Sequence, residues 1–323
     1  MSNARSLPWV PLAGLALLAA YPLVGGDYGT DLVVKIMIFA IAALSLELLV
    51  GATGLVCFGH AALFGIGAYA TVLLAPESDP APLWAIAPAA VGCAALYALG
   101  MGALSLRTKG VYFIMVTLAF AQMAYFVIHD TPLGGGTDGI YLYFKPVLGP
   151  PDAPWLDLEK PGVFYALTLG SLAAVYAGLA LLLRSRFGRA LAGIKANEQR
   201  MRATGFATYP YKLAAFVVSG AIAGYAGFLF AAKDGFVNPE LLSWHLSGSL
   251  LIMIILGGLG HLRGAVLGAF AYALLQEFFK SEAVFGEFAR HWHLGLGLTI
   301  ILSVAGLPRG LIGIADLVRR RRP

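Results

Sequence analysis

Long apolar runs separated by short polar connections make up most of the chain. In the clearest run, residues 32–50, only Lys35, Ser45 and Glu47 interrupt the apolar residues. Runs of about 18 or more residues with few charges are typical of helices that cross a bilayer. Ten such segments lie at 8–24, 32–50, 60–75, 83–106, 111–129, 163–184, 213–232, 245–260, 264–280 and 291–307. The pattern predicts an all-α, polytopic membrane helix bundle that forms one domain, 1–323, with about eight to ten segments spanning fully.

The composition excludes several other classes of protein. Of the 323 residues, 59% are hydrophobic and 12% are charged, whereas soluble domains have about 45–50% apolar and about 25% charged residues. An ordinary globular enzyme, a disordered chain and a disulfide scaffold are therefore excluded. Cys57 and Cys93 lie in apolar stretches, so both are expected to be small buried hydrophobic residues. The long first segment, followed by many others, favours an uncleaved helix over a removed leader.

The charged connections predict how the segments are oriented. If successive segments alternate in direction, one side collects the basic groups at Arg107 and Lys109, 185–212, Arg263 and 308–323. The other side collects the acidic connections at 27–31, 77–79, 130–162, 234–240 and 282–287. Because Lys and Arg are enriched in cytoplasmic connections, both termini are predicted to be cytoplasmic and 130–162 to be external. This distribution is explained by membrane topology, and nucleic acid is not expected as a partner.

Two connections are long enough to have a role of their own. The external loop 130–162 is dense in glycine and proline, which indicates turns. It either covers a pore mouth, meets an external partner or is a solvated connection. In the cytoplasmic loop 185–212, apolar residues recur near helical spacing up to Gly205, which predicts one short amphipathic helix ending there. Such a helix rests on lipid headgroups or docks into a soluble partner.

Two glycine clusters interrupt apolar segments. Their members are Gly51 and Gly54, shortly before His60, and Gly257, Gly258 and Gly260, directly before His261. Non-helical backbone at membrane depth is tolerated where it is buried in protein or lines a wet cavity. Glycine-interrupted segments in corresponding halves point to the substrate path of a transporter. We therefore predict two structural repeats whose broken helices line such a path; close helix packing at these glycines is the alternative.

The remaining polar residues restrict the chemistry. Glu47 is an intramembrane carboxylate, which suggests a functional site, but it lies near the predicted inner surface, where hydration or a hydrogen bond also explains it. The histidines lack the spacing of three or four metal ligands, so neither a metal nor a cofactor is expected. No G-x-x-x-x-G-K-[ST], G-x-S-x-G or H-E-x-x-H motif occurs. The chain is therefore not expected to be an enzyme, and any ATP must bind to another subunit.

Six stretches between about residues 30 and 315 contain Gly51-Ala52-Thr53-Gly54 with Phe58-Gly59-His60, Gly110-Val111-Tyr112-Phe113 with Thr117, Ser185-Arg186-Phe187-Gly188-Arg189, Gly235-Phe236-Val237-Asn238-Pro239, Leu256-Gly257-Gly258-Leu259-Gly260 and Pro308-Arg309-Gly310. In this order, the stretches resemble the permease subunits of bacterial ABC importers for branched-chain amino acids. The resemblance implies a multi-pass transport subunit in the bacterial inner membrane, surrounded by the lipid bilayer.

The resemblance also implies partners and roles. The expected partners are a second homologous permease, two cytoplasmic ABC ATPase subunits and an external substrate-binding protein. The loop 185–212 is similar to the family's coupling loop, whose helix sits in a groove of the ATPase; the matching residues are Arg189, Asn197, Glu198 and Gly205. The candidates for the translocation path or its hinges are Gly51, Gly54, His60, Thr117, Gly257, Gly258 and Gly260.

Several residues depart from the family's pattern. Glu47 replaces a common Asn, Gln122 replaces a common acidic residue, and His261 and Arg263 replace small or apolar residues. The solute is therefore open among branched-chain amino acids, amides, urea-like compounds and small aromatic acids. A stand-alone secondary transporter or channel that uses Glu47 as a proton or cation site is the rival interpretation.

Overall fold

The computed structural model describes residues 9–23, 26–76, 78–149, 155–307 and 309–313. Helices dominate it, as predicted. They are α1 (Trp9–Ala20), α2 (Asp27–Glu47), α3 (His60–Leu74), α4 (Leu83–Ser105), α5 (Val111–Asp130), α6 (Pro161–Arg184), α7 (Arg186–Ala196), α8 (Glu198–Ala203), α9 (Thr208–Asp234), α10 (Trp244–Gly257), α11 (Leu262–Lys280), α12 (Glu282–Phe285) and α13 (Trp292–Gly306). Four two-residue strands are β1 (Ile140–Tyr141), β2 (Val147–Leu148), β3 (Leu156–Asp157) and β4 (Phe236–Val237).

Among the described helices, fewer than the expected eight to ten are long and apolar enough to span a membrane. By length and composition, five described helices are able to cross a membrane, namely α2 with its continuation to Thr53, α4, α5, α6 and α9. The pair α10 and α11 adds a sixth if it is one broken span, bent by 115°. The difference from eight to ten arises because α3, α10 and α13 have only 15, 14 and 15 residues, whereas a span needs about 20.

Helix α2 forms the centre of the bundle. It packs against α6, α9, α10 and α11, and side chains around its whole circumference are buried, including Met37, Ile38, Ile41, Leu44 and Leu46. A helix that is hydrophobic all round is expected in the interior of a large protein. The central position of α2 matters for the site because its C-terminal end carries the first glycine cluster.

Helices α3 and α9 approach each other through glycines. A Cβ atom on Gly67 would overlap the backbone of Gly224, and one on Gly227 would overlap the carbonyl group of Phe64. Small residues allow helices to pack closely in membranes, where van der Waals packing stabilises helix association because the hydrophobic effect does not act between helices in lipid. This contact fixes the short helix α3 against a long spanning helix.

The polar connections meet in two groups, which lie at opposite ends of α2. At one end, Lys233 pairs with Asp31 at 3.0 Å, and β1 pairs antiparallel with β4, with Ile140 opposite Val237. At the other end, Tyr209 donates to the carbonyl oxygen of Ala103 at 2.8 Å. The ends of α2 are about 30 Å apart by helical rise. The grouping agrees with the charge-based assignment of sides, and the cytoplasmic placement of the termini stays a prediction.

The loop 130–162 is built from turns, as its glycine and proline content predicted. Its described parts contain two 3₁₀ turns, Pro132–Gly134 and Gly136–Asp138, and the antiparallel pair β2–β3. The Pro150–Pro154 stretch lies outside the described residues, as does the basic tail apart from residues 309–313.

Candidate translocation and coupling site

The first glycine cluster ends α2 in a π-helical segment, Leu48–Thr53. Gly54 follows in the left-handed region with φ +75°, a conformation that side chains with a Cβ rarely adopt. The chain then runs without helix to His60, where α3 begins. Single π-helical turns are rare and occur frequently at functional sites. The predicted break therefore exists, and it separates two helices that share the protein interior.

The second cluster forms the sharp turn between α10 and α11. Gly258 and Gly260 have φ values of +119° and +85°. A Cβ atom on Gly257 would overlap the carbonyl group of Gly264, and one on Gly258 would lie 2.6 Å from the carbonyl oxygen of Arg309. Gly257 and Gly258 are therefore closely packed, and their role in a translocation path stays a prediction.

Glu47 joins the two clusters. Its Oε1 accepts a hydrogen bond from the backbone N–H of Gly260 at 2.6 Å, and only 2% of the residue is exposed. The side chain lies over Gly51, where a Cβ atom would be 2.7 Å from the carboxyl carbon. One carboxylate oxygen of Glu47 is thus hydrogen-bonded, whereas Oε2 is buried without a hydrogen-bond partner among the described residues, so both interpretations of Glu47 stay predictions. The separate clusters of the sequence thus become one site.

A cavity of about 530 Å³ lies at this site. Its walls come from the end of α2, the end of α6, helix α7 and the α10–α11 turn; they are Glu47, Gly51, Ala52, Leu183, Gly188, Ala192, Lys195, Ala196, Gly260 and Leu262. Lys195 of α7 crosses this region and donates to the carbonyl oxygen of Gly51 at 2.7 Å. Lys195 was not identified from the sequence, because one Lys in a basic loop carries no distinguishing signal.

His60 and Thr117 lie deeper, beside the start of α3. His60 is fully buried, and its Nε2 is 2.6 Å from Ser45 Oγ on α2. Thr117 is also fully buried and accepts a hydrogen bond from the backbone N–H of Phe58 at 3.3 Å. Ser247 of α10 binds the N–H of Ala61 at 2.9 Å. These polar groups tie the first break to α2, α5 and α10.

The loop 185–212 contains two helices, α7 and α8, so the prediction of one helix is wrong. Helix α7 ends at Ala196, and the side chain of Asn197 caps α8 by accepting from the N–H of Arg200 at 2.9 Å. Gly205, with φ +85°, donates to the Arg202 carbonyl oxygen at 2.9 Å, and the N–H of Phe206 donates to that of Met201 at 3.0 Å. This is a Schellman motif, and it confirms that Gly205 ends the helical pattern.

Glu198 connects α8 to α9. Its Oε1 accepts from Arg202 at 2.6 Å, from Lys212 at 2.9 Å and from Thr208 at 3.0 Å. Burial raises the pKa of Glu198, but the bonds to Lys212, Thr208 and Arg202 and the charge of Lys212 outweigh burial and lower this pKa to about 2. Arg189, Asn197 and Gly205 are exposed. Three of the four coupling candidates are therefore accessible in this chain, and Glu198 attaches α8, which lies between Asn197 and Gly205, to α9.

Two further expectations are tested by the described residues. Cys57 is buried, but Cys93 on α4 is exposed, so the prediction of burial is wrong for Cys93; α4 buries only part of its circumference. Within the described ranges, no three His, Cys, Asp or Glu side chains lie close enough to hold a metal ion.

The fold and site define a polytopic membrane protein in which two breaks between helices meet beside the helix pair α7–α8. The chain belongs to the family of permease components of branched-chain amino acid transport systems, whose sequence model matches residues 29–305. It is similar to the high-affinity branched-chain amino acid transport system permease protein LivM of Escherichia coli K12, with 30% identity over 320 residues, 93% of this chain and 74% of that protein.

Other permeases are similar over shorter segments. The autoinducer 2 import system permease protein LsrC of Klebsiella pneumoniae is 35% identical over 120 residues, which is 35% of each chain. The xylose transport system permease protein XylH of Escherichia coli K12 is 29% identical over 130 residues, 39% of this chain and 33% of that one. No solved structure matches the chain significantly.

Proposed function

We propose that the chain is a membrane-spanning subunit of an ATP-driven importer in the bacterial inner membrane. With a second homologous permease it forms the translocation path for branched-chain amino acids or a related small polar or carboxylate solute. Two cytoplasmic ATPase subunits bind and hydrolyse ATP, and an external substrate-binding protein delivers the solute. The chain itself catalyses no reaction. Family membership, over residues 29–305, is the observation that carries this proposal.

The solute assignment rests on the relatives. LivM, which is similar over 93% of this chain, is by its name a permease for branched-chain amino acids, whereas LsrC and XylH are similar over less than half of the chain. Glu47 lies beside the broken helices and is held by Gly260. Its bond to the backbone gives it a structural task that is independent of the solute, so the departure at this position is compatible with an amino-acid path.

The proposed mechanism is alternating access driven from the cytoplasmic side. ATP binding closes the ATPase pair, and the outward-facing residues Arg189, Asn197 and Gly205 of the α7–α8 segment receive that motion. The segment is attached to the bundle through Glu198, which binds α9, and through Lys195, which binds the end of α2. A ligand shifts such an equilibrium only by its different affinity for the two states. Solute affinity therefore resides mainly in the external receptor, and the path itself binds weakly.

Competition for uptake tests the solute class. In cells that carry the complete transporter, labelled leucine uptake is measured in the presence of unlabelled isoleucine, valine, acetamide, urea or benzoate. We expect strong competition from the two amino acids and little from the other compounds. Stronger competition by an amide, urea or an aromatic acid would replace the amino-acid assignment while keeping the importer assignment.

A protonophore separates ATP-driven import from the rival secondary transporter. In proteoliposomes with ATP supplied at the cytoplasmic face, we expect uptake to persist when the protonophore collapses the proton gradient. Glu47→Gln keeps an oxygen that accepts from Gly260, so we expect a mild effect on uptake without a shift in its pH dependence. Uptake that is abolished by the protonophore, together with a shifted pH dependence in Glu47→Gln, would establish the rival.

A further inference from the structure

The end of α2 exposes a backbone oxygen that a regular helix would satisfy internally. In an α-helix the N–H of Leu55 would bond to Gly51, but here it donates to the carbonyl oxygen of Leu49 at 3.2 Å. The last carbonyl groups of a helix need other partners, and they carry partial negative charge that favours a cation. The π-helical break therefore creates an acceptor at Gly51 that faces helix α7.

Lys195, which lies 144 residues after Gly51 in the sequence, donates a hydrogen bond to this oxygen. Its ammonium group is 2.7 Å from the carbonyl oxygen of Gly51. Its aliphatic stem passes over Gly54, where a Cβ atom would lie 3.5 Å from Lys195 Cγ. At this distance a Cβ atom would be in ordinary van der Waals contact, so the stem packs directly on Gly54, and it is the φ of +75° that favours glycine there. The contact is thus a fitted one, with a charge-assisted hydrogen bond at its end and stem packing along its length.

The same helix end is tied to the second break. Glu47, one turn before Gly51, binds the N–H of Gly260 in the α10–α11 turn at 2.6 Å. A displacement of α7 that pulls on Gly51 through Lys195 is therefore transmitted to both broken segments. Helix α7 exposes Arg189 and Lys195, whereas Glu47 is buried, so α7 is the part of this chain of contacts that an outside partner reaches first.

We propose that Lys195 is a positioning residue of the transport cycle, which holds helix α7 to the π-helical end of α2 and, through Glu47, to the α10–α11 turn. This inference rests on the proposed function, because it needs a motor that moves α7. It assigns Lys195 a task inside the permease, whereas Arg189, Asn197 and Gly205 are proposed to face the motor.

The test uses the complete transporter in proteoliposomes, with solute uptake and ATP hydrolysis measured in the same vesicles. Lys195→Met removes the ammonium group and keeps an unbranched stem, whereas Lys195→Arg keeps a cation with donors. Arg184→Met, in the last turn of α6, removes an exposed charge on the same side and serves as the matched control. Recovery of the ATPase subunits with each variant shows whether the assembly is intact.

We expect Lys195→Met to assemble and hydrolyse ATP while solute moved per ATP falls about tenfold, in line with the loss of a hydrogen bond to a charged group. Lys195→Arg and Arg184→Met should stay within about twofold of the wild type, the range of surface substitutions. A role confined to stability would reduce assembly and leave the ratio of uptake to hydrolysis unchanged.

Two results would overturn the inference: an unchanged ratio in Lys195→Met, or an equal loss in Lys195→Arg. If the transporter with Lys195→Met does not assemble, Lys195→Gln, which has a neutral donor, is used in its place. The ratio of solute uptake to ATP hydrolysis in that variant then decides whether the inference holds. Failure of the proposed function looks different, because the wild-type assembly would then show no ATP-dependent uptake at all.

Discussion

Glu198→Ala removes the carboxylate that joins α8 to the first turns of α9. In the native protein, one oxygen of Glu198 accepts from Arg202, Lys212 and Thr208 within 3.0 Å. Without that oxygen, α8 keeps its Asn197 cap, its C-terminal Schellman motif and one bond to α9, from Arg202 Nε to Thr208 Oγ1 at 3.0 Å. We expect α8 to open locally more often, while the spanning helices, which are stabilised by their own packing, remain unchanged.

The magnitude follows from the partial exposure of the group. Hydrogen bonds to charged groups contribute about 1.5–3 kcal/mol when buried, whereas exposed ion pairs contribute about 0–1 kcal/mol. The Glu198 side chain is 24% exposed and that of Lys212 is 8% exposed. An intermediate value of about 1–2 kcal/mol is therefore expected for the free energy of local opening, which corresponds to a roughly 5- to 30-fold change in equilibrium.

The dependence on pH has a definite sign. The pKa of Glu198 is lower in the folded protein than its ordinary value, at about 2. Its stabilising contribution is therefore complete above the ordinary carboxyl pKa of about 4.3 and is lost as the pH falls towards about 2. The difference between the wild type and Glu198→Gln should accordingly be constant near neutral pH and shrink below about pH 4.

Amide hydrogen exchange of peptides that cover residues 198–206 measures this opening directly. Gln199→Ala, which truncates the exposed neighbouring side chain, is the matched control. Exchange in Glu198→Ala should be roughly 5- to 30-fold faster than in the wild type, and exchange in the control should be unchanged. Equal exchange in Glu198→Ala and Gln199→Ala would refute the assignment of Glu198 as the connection between α8 and α9.

Three further substitutions test the packing and the breaks. Gly227→Ala places a Cβ against the Phe64 carbonyl group and should lower the Tm of the purified protein clearly, whereas Gly170→Ala, which faces open space, should leave it within about 1 °C. Ser45→Ala removes the hydroxyl beside His60 Nε2 and should destabilise by about 1–3 kcal/mol in denaturant unfolding; an unchanged midpoint would contradict the contact. Gly54→Ala forces a side chain into a left-handed backbone conformation. We therefore expect the free energy of unfolding to fall by about 1 kcal/mol or more and solute uptake to decrease. Normal uptake would argue against Gly54 as a hinge.

The sequence predicts the long helices closely because apolar length is a strong local signal. Segments 83–106 and 111–129 correspond to Leu83–Ser105 and Val111–Asp130. Helix α9 begins earlier than the apolar run 213–232, at Thr208. The extra turn is polar and is held by Glu198, whose bond to Lys212 no hydropathy pattern indicates.

The loop 185–212 shows where hydrophobic periodicity is insufficient to predict the helix boundaries. Apolar residues continue near helical spacing from Ile194 to Met201, across the break at Asn197. The available signal was Asn197 itself, because Asn is a favoured N-cap residue. Gly205, the predicted C-terminal stop, was recognisable since glycine readily adopts the left-handed conformation needed there.

The site was predicted in pieces and assembled only by the fold. The sequence identifies Glu47 and both glycine clusters, but Glu47 and Gly260 are 213 residues apart, and no local rule pairs them. The contact of Lys195 with Gly51 is equally distant in sequence. The prediction of two structural repeats stays a prediction, as do the roles of the path candidates.

Reconstitution of purified components tests the central claim most directly. Vesicles are made with this chain, its second permease, the ATPase subunits and the external receptor, and a parallel set contains this chain alone. The account predicts solute accumulation only in the complete vesicles and only with ATP at the cytoplasmic face. Accumulation by the chain alone, driven by a proton or ion gradient, would contradict it.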